Sequence, residues 1–167
     1  GNILTVHDLL KEFPGEALRL ALLQTHYRQP LDFTRAGIAQ AKRTLDGWYR
    51  AAADVTASEG DIPASVIAAL EDDLNTPQAI TELHELARRA RGEGPGADAC
   101  ARGLKAGTAL LGLLGRDLES WLHWRPAIAG GLDEAAIDQE IEERNRARKA
   151  RDVARADAIR KELSEQG

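Results

Sequence analysis

Methionine is absent from the 167 residues, cysteine occurs once, and the aromatics number three Trp, two Tyr and two Phe. The lone Cys100 excludes an intrachain disulfide, and without CxxC or His-rich spacing nothing in the text can assemble a zinc site. No metal or cofactor is therefore expected within the chain, and a reducing, cytoplasmic setting fits. No apolar run approaches the roughly 20 residues that a membrane-crossing helix needs, and no basic region precedes an apolar stretch at the start. A membrane partner is not expected. P-loop, GxGxxG and GxSxG patterns are missing, and no Ser, His and Asp set can be singled out, so no catalytic residue is expected. His7, His26, His84 and His123 stand in separate segments without ligand spacing.

What is present favours helix. Hydrophobic residues make up 43% and charged residues 29% of the chain, with Ala, Leu, Arg and Glu dominating, and no segment shows sustained β alternation. The fold class expected is all-α. The formal net charge of −5 argues against indiscriminate coating of nucleic acid. The charges are nevertheless unevenly placed.

Local signals divide the chain. Thr5 followed by Asp8 predicts a short capped helix to about Lys11, ended by Phe13-Pro14-Gly15. A helix apolar nearly all round, and so buried, is expected from Gly15 or Glu16 to Tyr27. After the interruption at Arg28-Gln29-Pro30, Asp32 or Thr34 can cap a long helix reaching Val55, with Ile38, Ala41, Leu45, Trp48 and Ala52 on its stripe. Pro63 opens a helix to Leu70. Asn75-Thr76-Pro77 predicts a restart in which Thr caps and Pro fills the first turn, the helix running to about Arg91. The acids Glu71-Asp72-Asp73 before it would favour that helix N-terminus electrostatically. After the loop Gly92 to Gly96, the period resumes from Ala97 to Leu114, with Cys100 as core packing and Gly115 as the stop. From Arg116 to Gly131 the period is lost, which predicts a linker in which Trp121, Leu122 and Trp124 still pack. A domain boundary is placed near residue 130: a helical bundle over 1–130 and a small helical hairpin over 131–167, with helices from Asp133 to Arg144 and from Asp152 to about Glu165.

The hairpin carries the most distinctive stretch. Between residues 144 and 161 lie eight basic residues against Asp152 and Asp157, a local balance of +6. A bend between helices presenting several guanidiniums suits RNA, because Arg holds phosphates in a fork and stacks on unpaired bases while a carboxylate reads base amino groups.

Three ordered motifs now resemble one family. Glu16-Ala17-Leu18-Arg19 with His26-Tyr27-Arg28 and Pro30-Leu31, then Asp72-Asp73-Leu74-Asn75-Thr76-Pro77, then residues 141–163, are similar to the DALR-type helical part and the anticodon module of bacterial cysteinyl-tRNA synthetases. The resemblance spans nearly the whole chain and is least diagnostic from Arg91 through Gly131. Gly1-Asn2 resembles the end of that family's Lys-Met-Ser-Lys-Ser-Leu-Gly-Asn signature. A start without Met suggests a fragment or a processed chain.

The resemblance implies a tRNA-binding portion of a class I ligase that attaches cysteine to its tRNA with ATP. It implies cysteine tRNA and the catalytic domain of the same enzyme as partners, and ATP, magnesium and zinc as requirements of the full-length enzyme rather than of this fragment, which alone should be inactive. Arg148, Asp157 and Arg160 are the implied anticodon contacts, with Arg144, Arg146, Lys149, Arg151 and Arg155 adding phosphate and base contacts; Arg28 is read as structural. Two departures stand out: Val153 replaces an aromatic of many relatives, and Gly167 precedes the short tail expected to complete the module. The rival readings are the helical domain of a mycothiol-pathway cysteine ligase, which the basic hairpin disfavours, and a free-standing helical protein-interaction module.

Overall fold

The structure, a computed structural model, describes residues 5–53, 55–92 and 94–126, together with Glu143 and Arg146. The chain divides into two compact units, residues 1–126 and 127–167. Seven α-helices and one 3-10 turn build the described part of the first unit, with no strand among the described residues. The all-α expectation holds. None of these helices is long and apolar enough to cross a membrane.

Helix α1 spans Val6–Glu12, and Thr5 caps it by accepting the Asp8 N–H at 3.2 Å. Helix α2 spans Gly15–Leu23 and stops four residues short of the expected Tyr27. Its final carbonyl side is taken from outside: the Thr76 hydroxyl donates to the Leu23 carbonyl at 2.7 Å, and the chain turns away. Apolar nearly all round, α2 buries Ala17, Leu18, Leu20 and Ala21 but leaves Arg19 and Leu22 exposed, so the expected burial fails on one side.

Helix α3, Arg35–Ala51, is capped by Thr34 through the Gly37 N–H. Its stripe of Ile38, Ala41, Leu45 and Trp48 is buried as the spacing predicts. It ends before Val55, which lies beyond the helix and is only half-buried. The 3-10 turn Glu59–Asp61 follows, and Arg102 Nε donates to Asp61 at 3.1 Å to tie it to a later helix. Helix α4 spans Ala64–Glu71, with Pro63 as its cap residue rather than within its first turn.

Helix α5 spans Thr76–Ala90. The capping residue is Asn75, whose side chain accepts the Gln78 N–H at 3.2 Å, and not Thr76 as the sequence reading has it. Thr76 is displaced into the first turn because its hydroxyl serves Leu23. Helix α6, Ala97–Leu110, buries Cys100 as expected and packs extensively on α5. Gly107 permits that approach: a Cβ there would meet a Leu83 methyl at 2.8 Å.

The stop of α6 is Gly112 rather than Gly115. Gly112 adopts φ +65°, its N–H reaches the Ala109 carbonyl, and the next N–H, of Leu113, returns to the Thr108 carbonyl, both at 3.0 Å. This is a Schellman closure, in which a glycine takes the left-handed position without a Cβ penalty and the following residue, Leu113, is buried. Where a linker is expected, residues Leu118–Leu122 form α7, capped by the Asp117 carboxylate on the Ser120 N–H at 2.7 Å. A five-residue helix is too short to show a period. Trp121 on α7 is buried, Trp124 half-buried and Leu122 exposed.

The core joins Leu9, Leu20, Ile38, Leu45, Trp48, Val66, Leu83, Leu104, Leu113 and Trp121 in one cluster. Full burial of each large apolar side chain contributes on the order of 1.5–3 kcal/mol before entropy is counted.

Candidate functional site

Two polar clusters lie at opposite ends of α2, and each is built from a motif singled out in the sequence. At the N-terminal end, the half-buried Glu16 carboxylate accepts the Tyr49 hydroxyl at 3.0 Å and the N–H groups of Leu114 at 2.9 Å and Gly115 at 3.2 Å. Tyr49 in turn accepts the Arg116 N–H at 3.1 Å. One turn on from Glu16, Arg19 donates to the Gly112 carbonyl. Glu16-Ala17-Leu18-Arg19 therefore works as a clamp: its outer residues hold the backbone that follows α6, and Ala17 and Leu18 fill the core.

Aromatic stacking extends the clamp. The Tyr49 and Trp121 rings lie 4.5 Å apart at 17°, and Trp121 Nε1 donates to Asp46 at 2.7 Å, while Lys42 pairs with the same carboxylate at 3.1 Å. Burial, with the Glu16 carboxylate adding to it, pushes the Tyr49 phenol well above its ordinary value. A phenol so placed stays protonated and serves as a fixed donor. The adjoining cavity, about 130 Å³ and lined by Tyr49, Lys105, Arg116 and Asp117 among others, is below the range of roughly 300–1,000 Å³ that small-molecule pockets occupy.

At the C-terminal end of α2, His26-Tyr27-Arg28 meets Asp73. Tyr27 donates to Asp73 Oδ1 at 2.7 Å, Arg28 Nη2 donates to the same oxygen at 3.2 Å, and Arg28 Nε donates to the Tyr27 hydroxyl at 2.9 Å. His26 Nε2 lies 3.2 Å from the Asp73 carbonyl. The two family motifs, 45 to 47 positions apart in the chain, are thus one surface cluster. Asp73, expected to favour the α5 N-terminus, also carries these side-chain partners, and Arg28, read as structural from the sequence, is one of them. The hydrogen bond that the Tyr27 hydroxyl donates to the Asp73 carboxylate raises the Tyr27 phenol above its ordinary value.

Neither cluster pairs a nucleophile with a base or carries converging ligands. Among the described residues no group of three His, Cys, Asp or Glu could hold a metal ion. His7, His84 and His123 lie on separate helices or caps, His84 edge-on to Trp48 at 5.1 Å.

Of the residues assigned to RNA, Arg146 alone falls among the described ones. It is helical and exposed, as is Glu143. Arg144, Arg148, Lys149, Arg151, Arg155, Asp157 and Arg160 lie outside the described residues, as do the helices expected over 133–144 and 152–165 apart from Glu143; Arg146 is helical two residues beyond the expected end of the first. The clamp partners Tyr49 and Asp46 are not singled out by the sequence, and Trp121 is expected only to pack; the signal for them is a buried Tyr and Trp, which need hydrogen-bond partners for their polar ends.

Comparison with known families adds two matches. The DALR domain model matches residues 65–115, and the model of the class I (C) tRNA synthetase catalytic domain matches residues 1–43. Glu16 to Arg19 lie in the second match and clamp Gly112 to Gly115 at the end of the first. Among curated proteins the chain is 55% identical to the cysteine–tRNA ligase of Rhodospirillum centenum, over all of this chain and 37% of that protein. It is 49% identical to the same ligase of Paramagnetospirillum magneticum and 50% to that of Xanthomonas campestris pv. campestris, again over its full length, covering 38% and 37% of those proteins. The chain therefore spans little more than a third of the relatives it matches.

Proposed function

The chain belongs to the cysteine–tRNA ligase family, and on that premise we propose that it is the tRNA-holding portion of a ligase that activates cysteine with ATP and transfers it to the 3′ end of its tRNA. The observation that carries this reading is the identity of about half, kept along the whole chain, to three such ligases. Cysteine tRNA and the catalytic domain of the same polypeptide are then its partners, and the cytoplasm its setting.

In this reading the bundle over 1–130 supports the body of the tRNA and the segment over 131–167 reads the anticodon. Arg144, Arg146, Lys149, Arg151 and Arg155 hold phosphates and bases, while Arg148, Asp157 and Arg160 contact the anticodon, Asp157 by accepting from base amino groups. ATP, magnesium and zinc belong to the longer enzyme. The described residues do not fit zinc, since no cluster of ligands occurs among them, and no bond-making step is assigned to them.

The test is binding of cysteine tRNA to the chain carrying both Arg148→Ala and Arg160→Ala. Loss of roughly 1–3 kcal/mol per base contact corresponds to a fall in affinity of about tenfold or more, with the circular dichroism spectrum unchanged. Undiminished affinity would remove the anticodon assignment.

A further inference from the structure

Asp73 and Leu74 stand consecutively in the left-handed region, at φ +53° and +52°. Glycine, asparagine and aspartate enter that region readily; leucine does so rarely. Burial does not explain the leucine, because Leu74 is 61% exposed. Its backbone N–H reaches the Leu70 carbonyl at 3.2 Å, a bond that any residue other than proline could make. The turn is nevertheless held firmly, with Asp73 fastened by His26, Tyr27 and Arg28 and the following Thr76 fastened to Leu23. A strained, exposed apolar residue on a fixed turn breaks a local rule without a gain inside the fold, and such places tend to serve function.

The chemistry of the surroundings selects the occupant. The cluster's polar groups are spent on one another, since Asp73 binds Tyr27 and Arg28, and Arg28 also binds the Tyr27 hydroxyl. Beside the exposed but mutually paired Arg28 and Asp73, apolar surface faces outward: Leu74, Tyr27 at 61% exposure with His26 stacked on one side, and Leu31 further along the same loop at 45%. Exposed Glu71, Asp72 and Asp73 precede Leu74, so the turn repels phosphates and disfavours RNA. A protein surface fits. Tyr27 and Leu31 fall within residues 1–43, which match a synthetase catalytic-domain model, while the chain accounts for only 37% of its Rhodospirillum centenum relative. Given, as proposed above, that the chain works inside a longer ligase, we infer that Leu74, with Tyr27 beside its turn, is an apolar docking point for the remainder of that ligase's catalytic domain.

Leu74→Asn separates the two demands on this residue, because asparagine relieves the left-handed backbone while removing the apolar contact. It should raise the melting temperature of the 167-residue chain by about 2 °C. In the Rhodospirillum centenum ligase carrying this chain in place of its matching segment, the same substitution should lower the melting temperature and increase amide exchange around residues 70–78. Equal stabilisation in both proteins would overturn the docking point. So would destabilisation of the chain alone, or weaker binding of cysteine tRNA by the chain carrying Leu74→Asn. Cysteinylation by the unsubstituted chimera is the separate check on the ligase reading, and its absence would count against that reading rather than against the docking surface.

Discussion

The two ends of α2 use the same chemistry to different ends. At its start, Glu16 and Arg19 hold the backbone after α6 in a half-buried setting backed by the stacked Tyr49 and Trp121. At its finish, Tyr27 and Arg28 hold Asp73 in the open, where solvent screens the pairs. Hydrogen bonds made by buried groups are costly to break, because the partner left behind is unsatisfied; exposed pairs contribute about 0–1 kcal/mol. The first cluster is accounted for by stability. The second is not: there the consecutive residues Asp73 and Leu74 take the left-handed region in the open and Leu74 faces water, whereas the left-handed Leu114 of the first cluster is half-buried with its N–H on Glu16.

Removing the aromatic support of the buried clamp should have the largest effect. Trp121→Ala deletes a fully buried side chain and the partner of Tyr49, and should cost about 3–5 kcal/mol in urea unfolding. A loss below 1 kcal/mol would place α7 outside the cooperative unit.

Tyr49→Phe is expected next, at about 1–2 kcal/mol, because the Arg116 N–H loses its acceptor and Glu16 loses a donor. It also has a pH signature. The phenol's value is raised in the folded state, so its contribution is complete below the ordinary tyrosine value of about 10 and is lost as pH rises beyond it. Alkaline unfolding above about pH 10 should therefore be less steep in Tyr49→Phe than in the unsubstituted chain. Parallel pH profiles would show that the phenol is not held as described.

The smallest effect belongs to the exposed cluster. Arg28→Ala should change stability by no more than about 0.5 kcal/mol, since the guanidinium is 66% exposed and its pair with Asp73 is screened. A cost above 2 kcal/mol would erase the contrast between the two ends.

What could be read in advance was mostly local. Thr5 and Thr34 cap their helices as residue type and spacing predict, and the stripe of α3 is buried as its period requires. Helix ends were less legible because distant partners set them. Leu23 ends α2 where the Thr76 hydroxyl, 53 positions away, takes its carbonyl, and that same bond moves the cap of α5 to Asn75. Sequence places the stop at Gly115; the Schellman bonds and Arg19 place it at Gly112. Charge pattern and resemblance make Arg144 to Arg160 the expected RNA contacts, and of the residues so assigned Arg146 alone is described, exposed on a helix. The clamp motif was visible as a motif, but its partners at Leu114 to Arg116 were not, because backbone donors leave no mark in the text.

The most direct measurement is the affinity of the chain for cysteine tRNA and for a second tRNA across a salt series. Phosphate contacts release counterions, so binding should weaken by about tenfold or more between roughly 50 and 200 mM salt while preference for cysteine tRNA persists. Affinity that ignores salt, or that is equal for both tRNAs throughout the series, would contradict the tRNA-holding role.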